Sequence, residues 1–203
     1  MNFVCLDFEG VLVPEIWIAV AERTGIDALR ITTREEPDYD KLMRYRLDIL
    51  DGQGIRLPDI QAVIDGLEPM DGAAGFLEAL RRRYQVAILS DTFYEFAEPL
   101  MRRLGFPTLF CHRLEIADGG RLAGYRLRLA DHKRKAVRAL QELNFRVLAA
   151  GDSYNDTAML QAADFGCFFS APANVRRDFP ALPAVDSYDA LADRFAAACR
   201  AWA

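Results

Sequence analysis

No apolar stretch of this 203-residue chain approaches the ~20 residues needed to cross a bilayer. No basic leader precedes the first apolar run, and an acid, Asp7, interrupts that run, so no signal peptide is expected and the expected setting is cytoplasmic. The four cysteines, Cys5, Cys111, Cys167 and Cys199, are far apart and form no C-x-x-C pair. That spacing argues against a disulfide scaffold and against a structural zinc site, and Cys5 and Cys167, inside apolar runs, read as small core residues. Positive charge is not in excess: the formal net charge is -5. The one dense basic cluster, Arg81-Arg82-Arg83, closes a helical stretch, where cations suit the C-terminal dipole. Nucleic-acid binding, which needs clustered Lys and Arg to neutralise phosphates, is therefore not expected. Internal repeats and low-complexity tracts are missing, and so is the G-x-x-x-x-G-K-[ST] loop of ATP-type P-loop kinases.

What the chain does have is an ordinary globular balance, 52% hydrophobic and 27% charged, and a length that suits one domain with a small insert. Phe3 to Phe8 is nearly continuous in apolar residues, as a strand buried on both faces should be, and Gly10 ends it. From Pro14, placed in a first helical turn, to about Gly66 the pattern is helical, with Ile16, Trp17, Val20 and Ala21 on one face. Tyr39, Leu42, Met43, Leu47 and Leu50 repeat near the helical period until Gly52, and Pro58 to Ile64 is a further short helix.

After Pro69 strands and helices alternate. Helices are expected over 73–83, 93–104, 132–143, 154–163 and 188–201, and strands over 86–89, 108–111, 146–150 and 166–169, with a hairpin around Asp118-Gly119-Gly120. This alternation predicts an α/β protein: a Rossmann-like parallel sheet with helices on both faces. Residues 1–12 and 70–203 would form its core. Residues 13–69 interrupt the alternation after the first strand and would form a small inserted helical cap over the carboxyl ends of the strands, where open α/β sheets place their sites.

Four segments carry chemistry. In Asp7-Phe8-Glu9-Gly10-Val11-Leu12, Asp7 is a reasonable carboxylate nucleophile for phosphoryl transfer, and Glu9 can serve as general acid and then base. The bland alternative is a solvated strand end. Ser90-Asp91-Thr92, after a strand and before a helix, offers hydroxyls and free N–H groups as a phosphate seat, or else a plain helix cap. Lys133 near the start of a helix opposes the dipole preference and would balance Asp7 and a phosphoryl group; the alternatives are a surface lysine, or Lys135 in that role. Gly151-Asp152-Ser153-Tyr154-Asn155-Asp156 clusters oxygen ligands of the kind Mg2+ takes.

These four segments, in this order, resemble the signatures of the haloacid-dehalogenase-like superfamily across nearly the whole chain. The first resembles D-x-D-x-[TV]-L, with Glu9 in place of the second Asp; the others resemble its S-[DG]-T, helix-lysine and G-D-x-x-N-D motifs. The resemblance implies an aspartyl-phosphate on Asp7 and Mg2+ held by Asp7, the carbonyl of Glu9 and Asp152. Lys133, Ser90, Asp91, Thr92 and Asn155 would hold the phosphoryl group, and Asp156 would orient the metal shell or Lys133. Within the superfamily the chain resembles phosphoserine phosphatases. Glu15 falls where they place an acid near the substrate amine, and the Arg46-to-Gly52 run is similar to their cap segment, whose Arg binds the substrate carboxylate. Glu9 makes the resemblance closer still to the D-x-E branch, bifunctional phosphoserine phosphatases and homoserine kinases of amino-acid biosynthesis. The implied partners are phosphoserine and homoserine; a homodimer is compatible with the sequence, which does not set the oligomeric state. A phosphatase of another small ester, or a phospho-binding protein with an inactive site, stays open. A receiver domain shares the strand-end acids and lysine but lacks a cap.

Overall fold

The computed structural model describes residues 1–32, 35–36 and 38–202. A seven-stranded sheet runs through the molecule in the order β4-β3-β2-β1-β5-β6-β7. Its strands are β1 (Asn2–Leu6), β2 (Gln85–Phe93), β3 (Thr108–Ile116), β4 (Leu122–Arg126), β5 (Arg146–Gly151), β6 (Phe165–Phe169) and β7 (Ala184–Val185). Every neighbouring pair is parallel except β3–β4, the antiparallel hairpin expected around Asp118-Gly119-Gly120. The chain lays β2 and β3 on one side of β1, then places β5 on the other, so the order reverses at β1 and opens a crevice at its carboxyl end.

Side-chain alternation divides the sheet between two apolar cores. Val4, Leu6, Ile88, Leu148 and Ala150 pack on the face covered by α4 (Ala73–Arg81), α5 (Tyr94–Arg103) and α9 (Tyr188–Ala201). Cys5, Ala87, Leu89, Val147 and Ala149 pack on the opposite face, against α6 (His132–Glu142), α7 (Thr157–Ala162) and α8 (Ala173–Asp178). Both faces are covered at β1 and β5, which is why those strands are apolar after their first residues, Asn2 and Arg146. Cys5 and Cys167 are core residues as expected, and Cys111 joins them.

Between β1 and β2 lie α1 (Ile16–Thr24), α2 (Tyr39–Gly52) and α3 (Leu57–Ile64), with a short 3-10 turn at Asp27–Arg30. Their apolar faces, including Ile16, Trp17, Met43, Leu50, Ile60 and Ile64, merge with the first core. Trp17 meets Phe96 of α5 edge to face at 5.5 Å, and Gln61 donates to the Glu95 carbonyl at 2.9 Å. The two connections to the sheet run side by side, where Met70 N–H donates to the Leu12 carbonyl at 2.9 Å. Among the described residues no helix is long and apolar enough to cross a membrane.

Some boundaries differ from expectation. Pro14 precedes α1, whose N-cap is Glu15. The strand expected to stop at Leu89 continues to Phe93, so Ser90-Asp91-Thr92 is not a helix N-terminus; α5 begins at Tyr94. Between the pairs Leu89–Phe110 and Phe93–His112, β2 has three residues where β3 has one. The surplus bulges out of the ladder, and bulges re-aim side chains at strand ends. The 154–163 helix is a 3-10 turn, Tyr154–Asp156, followed by α7. The short elements α8 and β7 carry too few residues to show a period.

Gly166 marks a tight approach of β6 to α7: a Cβ there would lie 2.2 Å from the Leu160 carbonyl oxygen. Backbone cannot yield as a side-chain tip can. Gly166→Ala is expected to cost about 1–3 kcal/mol through overpacking, read as a lower urea midpoint with an unchanged m-value.

Candidate active site

Three adjacent strands deliver acids to the crevice. Asp7 follows β1, Asp91 sits in the bulge of β2, and Asp152 follows β5. Lys133, the second residue of α6, reaches in among them. Its Nζ lies 2.8 Å from Asp156 Oδ1, 2.9 Å from Asp7 Oδ1 and 3.4 Å from Asp91 Oδ2. Lys133 is buried, whereas Lys135 is exposed and takes no part, so the surface-lysine alternative fails. Burial alone would strip the ammonium of its proton; the carboxylates of Asp156, Asp7 and Asp91 outweigh that and hold its pKa well above the ordinary lysine value.

Asp7 accepts from Phe8 N–H at 2.7 Å and from Lys133, both on Oδ1. Burial, then the nearby Asp156 and Asp152, push its pKa well above the carboxylate range against the pull of Lys133. The carboxylates of Asp7, Asp152 and Asp156 converge with ligand atoms within 4.8 Å of one another. Three hard oxygen donors against one ammonium leave negative charge that a divalent cation would offset, so the donor set fits Mg2+. Asp156 is already committed: Oδ1 takes Lys133, and Oδ2 accepts Asp152 N–H at 2.9 Å and Ser153 N–H at 3.1 Å. That leaves Asp7 and Asp152 as the side chains that could hold the metal. Gly10 lets the chain turn beside them. Its φ is +74°, and a Cβ would lie 2.5 Å from the Asp152 carboxyl carbon.

Glu9 is not a solvated strand-end acid. Its Oε2 accepts the first amide of α1, Ile16 N–H, at 2.9 Å. The extra methylene of Glu carries the carboxylate that far. Burial raises its pKa, opposed by the Ile16 amide, the Thr92 hydroxyl, Arg46 and Lys133.

A cavity of about 400 Å3 opens over this cluster, lined by Asp7, Glu9, Ser90, Thr92, Asp152 and Asn155 below and by Glu15, Trp17, Tyr39 and Arg46 from the helical segment. The sequence-predicted residues thus share one cavity or stand directly behind it. Arg46 is not a solvated helix residue: it is 6% exposed, its guanidinium lies 4.4 Å over the Trp17 ring, and Nη2 donates to the Ile31 carbonyl at 2.7 Å. Its buried Nε has no hydrogen-bond partner. Burial lowers its pKa to about 10, resisted by Glu9, Tyr39 and Glu15.

Asp91, grouped above with the phosphate seat, also lines this cavity, and both of its carboxylate oxygens are engaged. Oδ2 accepts Asn155 Nδ2 at 2.8 Å and stands near Lys133; Oδ1 lies 3.1 Å from His132 Nε2 and 3.6 Å from His112 Nε2. Burial would raise its pKa, but Lys133 and the two imidazoles prevail and hold it well below the usual carboxylate range. A carboxylate so held supports the Asn155 amide and the Lys133 ammonium. Ser90 Oγ in turn accepts Thr92 N–H at 3.2 Å, which shapes the bulge. Sequence reasoning missed Trp17, Tyr39, His112 and His132, because no motif or period distinguishes them from core or surface residues.

Comparison with known proteins agrees with this geometry. The family description "haloacid dehalogenase-like hydrolase" matches residues 1–164. A phosphoserine phosphatase of Pseudomonas aeruginosa named ThrH is 61% identical over 195 residues, covering 96% of this chain and 95% of that protein. A phosphoserine phosphatase of Pseudomonas syringae pv. tomato is 59% identical, covering 96% and 82%. A solved structure described as a phospho-aspartyl intermediate analogue of phosphoserine phosphatase superposes with a TM-score of 0.73 at 20% identity, covering 87% of this chain and 90% of that one. With a family match over residues 1–164 and these acids at its strand ends, the chain belongs to the haloacid dehalogenase-like hydrolases.

Proposed function

We propose that the protein is a Mg2+-dependent phosphoserine phosphatase that works through an aspartyl-phosphate on Asp7 and also passes the phosphoryl group to homoserine. The observation that carries the substrate is Arg46: a buried guanidinium with an unpartnered Nε, lining the same cavity as Asp7 and the acid Glu15. A desolvated N–H donor without a partner is costly unless a ligand completes it. A carboxylate is the natural partner for a guanidinium, and Glu15 suits an ammonium nearby, so the pair describes an amino acid. The relatives at 61% and 59% identity are named for phosphoserine.

In this reading residues 1–12 and 70–203 form the catalytic core and 13–69 the cap, in a cytoplasmic enzyme. Arg46 and Glu15 hold the substrate carboxylate and ammonium so that the phosphoryl group rests between Asp7 and Glu9. A carboxylate oxygen of Asp7 attacks phosphorus in line, and the bond from phosphorus to the serine oxygen breaks. Glu9, whose pKa is raised by burial, gives its proton to the departing serine oxygen. Lys133, with Ser90, Thr92 and Asn155, stabilises the charge on the phosphoryl oxygens. In the second half Glu9 takes a proton from water or from the homoserine hydroxyl, that oxygen attacks phosphorus, and Asp7 is released. Asp7, the Glu9 carbonyl and Asp152 would hold Mg2+, which would supply the charge neutralisation that an anionic nucleophile needs beside an anionic ester. The hydrogen bond from the first amide of α1 to Glu9 joins the acid–base group to the cap and fixes where its carboxyl points.

Three experiments test this. Phosphoserine is incubated with enzyme and Mg2+, with and without homoserine, and free phosphate and phosphohomoserine are quantified together. Phosphohomoserine should form at the expense of phosphate; phosphate alone would leave a plain phosphatase, and no turnover would sink the substrate assignment. Asp7→Asn should reduce turnover at least about a thousandfold while phosphoserine still binds; substantial remaining turnover would rule out the covalent route. Arg46→Ala should lower kcat/KM for phosphoserine by roughly a hundredfold and for p-nitrophenyl phosphate, which has no carboxylate, by less than about threefold. Equal losses on both would remove Arg46 as the carboxylate clamp.

A further inference from the structure

The chain contains two histidines, and the fold brings both to Asp91. His112 comes from β3, opposite the far end of the β2 bulge, where it pairs with Phe93. His132 opens α6, immediately before Lys133. The turn that delivers it has Asp131 in the left-handed region, φ 54°, so that the first two side chains of the helix, His132 and Lys133, are both buried. The imidazoles meet edge to face with centroids 4.6 Å apart. Tyr39 of α2 closes the cluster, its ring 6.2 Å from that of His112 and its hydroxyl donating to the Asp91 carbonyl at 2.9 Å.

Two histidines and an aspartate, with ligand atoms within 4.8 Å, have the composition of a transition-metal site. The hydrogen bonding argues otherwise. A backbone amide can only donate, and Arg128 N–H donates to His112 Nδ1 at 3.2 Å. Nδ1 therefore holds a lone pair, and the neutral ring carries its proton on Nε2, the atom facing Asp91. A protonated nitrogen cannot ligate a metal. His132 is kept neutral by burial, which lowers its pKa against the pull of Asp91. Its Nε2 sits 3.1 Å from Asp91 Oδ1, while its Nδ1 is buried without a partner, so its proton also belongs on Nε2. Asp91 is thus ringed by donors: two imidazole N–H groups toward Oδ1, and the Asn155 amide and Lys133 ammonium toward Oδ2.

From this we infer that His112 and His132 are positioning residues for phosphoryl transfer: by holding Oδ1 of Asp91 they fix the direction of Oδ2, and Oδ2 sets the Asn155 amide and the Lys133 ammonium against Asp7. The inference rests on the reading of Asp7 as the phosphoryl acceptor. His132 acts at 3.1 Å and carries the larger share; His112, at 3.6 Å, acts through its field and its packing against His132. His132 Nδ1 is buried without a hydrogen-bond partner, a cost that its bond to Asp91 offsets.

The test compares His132→Phe, which keeps a ring and removes the donor, with His132→Gln, whose terminal amide restores an N–H near the Nε2 position. Two measurements are made on holoenzyme with Mg2+. The first is steady-state kinetics on phosphoserine. His132→Phe should lower kcat by about tenfold to a hundredfold, the worth of a hydrogen bond to a charged group, with KM changed less than about twofold. His132→Gln should recover most of that loss. The thermal midpoint of His132→Phe should fall, because Asp91 Oδ1 loses its nearest donor, and should recover in His132→Gln. The second is NMR of the Asn155 side-chain amide and the Lys133 ammonium without substrate, which reads positioning even if phosphoserine is the wrong substrate. Both resonances should shift in His132→Phe and return toward the parent in His132→Gln. Unshifted resonances, or a kcat loss that Gln does not recover, would overturn the inference. An inactive parent whose resonances shift as described would overturn the phosphoserine reading and leave the positioning role standing.

Discussion

A single buried ammonium ties the molecule's chemistry to its fold. Lys133 enters from α6 and bonds carboxylates that follow β1, lie within β2, and close the turn after β5. None of these groups is tolerable alone. A buried ammonium without anions would lose its proton, and buried carboxylates without the cation would take protons up. Each is stable only when three neighbouring strands end in register, so the charged cluster and the sheet order require each other. The charge balance is incomplete, since three acids converge on one cation beside the cavity, and that surplus is what makes the site fit to receive a divalent metal.

The helical segment 13–69 contributes differently. Its apolar face is continuous with the first core, which anchors it over the crevice, and its polar groups complete the site from above. Two contacts join its polar side to the acids below: the α1 amide on Glu9 and the Tyr39 hydroxyl on the Asp91 carbonyl. The substitution of Glu for the second signature Asp acquires a physical meaning here. The longer side chain reaches the start of α1, where an N-terminal amide is waiting for an anion. Glu9 is therefore held jointly by the end of β1 and by the start of α1.

The bulge in β2 shows how local irregularity serves the site. A regular strand would alternate Ser90, Asp91 and Thr92 between faces, whereas across the bulge all three line the cavity, with Asp91 also reaching Lys133 and the histidines. The Ser90-Asp91-Thr92 motif was visible in the chain, but the gathering of all three residues at one cavity was not, because a bulge depends on the register of the partner strand.

Much of the architecture was legible beforehand. Strands buried on both faces must be apolar, and the residues that end them must face the crevice, so Asp7, Asp91 and Asp152 could be assigned to one place from pattern alone. Helical periodicity similarly marked the helices α1, α2 and α3 that follow β1. Other features required the tertiary structure. Arg46 looks like any helical arginine until Trp17 and Ile31 close around it, and Lys133 is distinguished from Lys135 only by which way the start of α6 points. His112 and His132 lie on elements far apart in the chain and meet because β3 is laid beside β2 and Asp131 turns left-handed. Periodicity reports which face of an element is buried; what an individual polar side chain meets there depends on non-local neighbours, and that the packed chain alone decided.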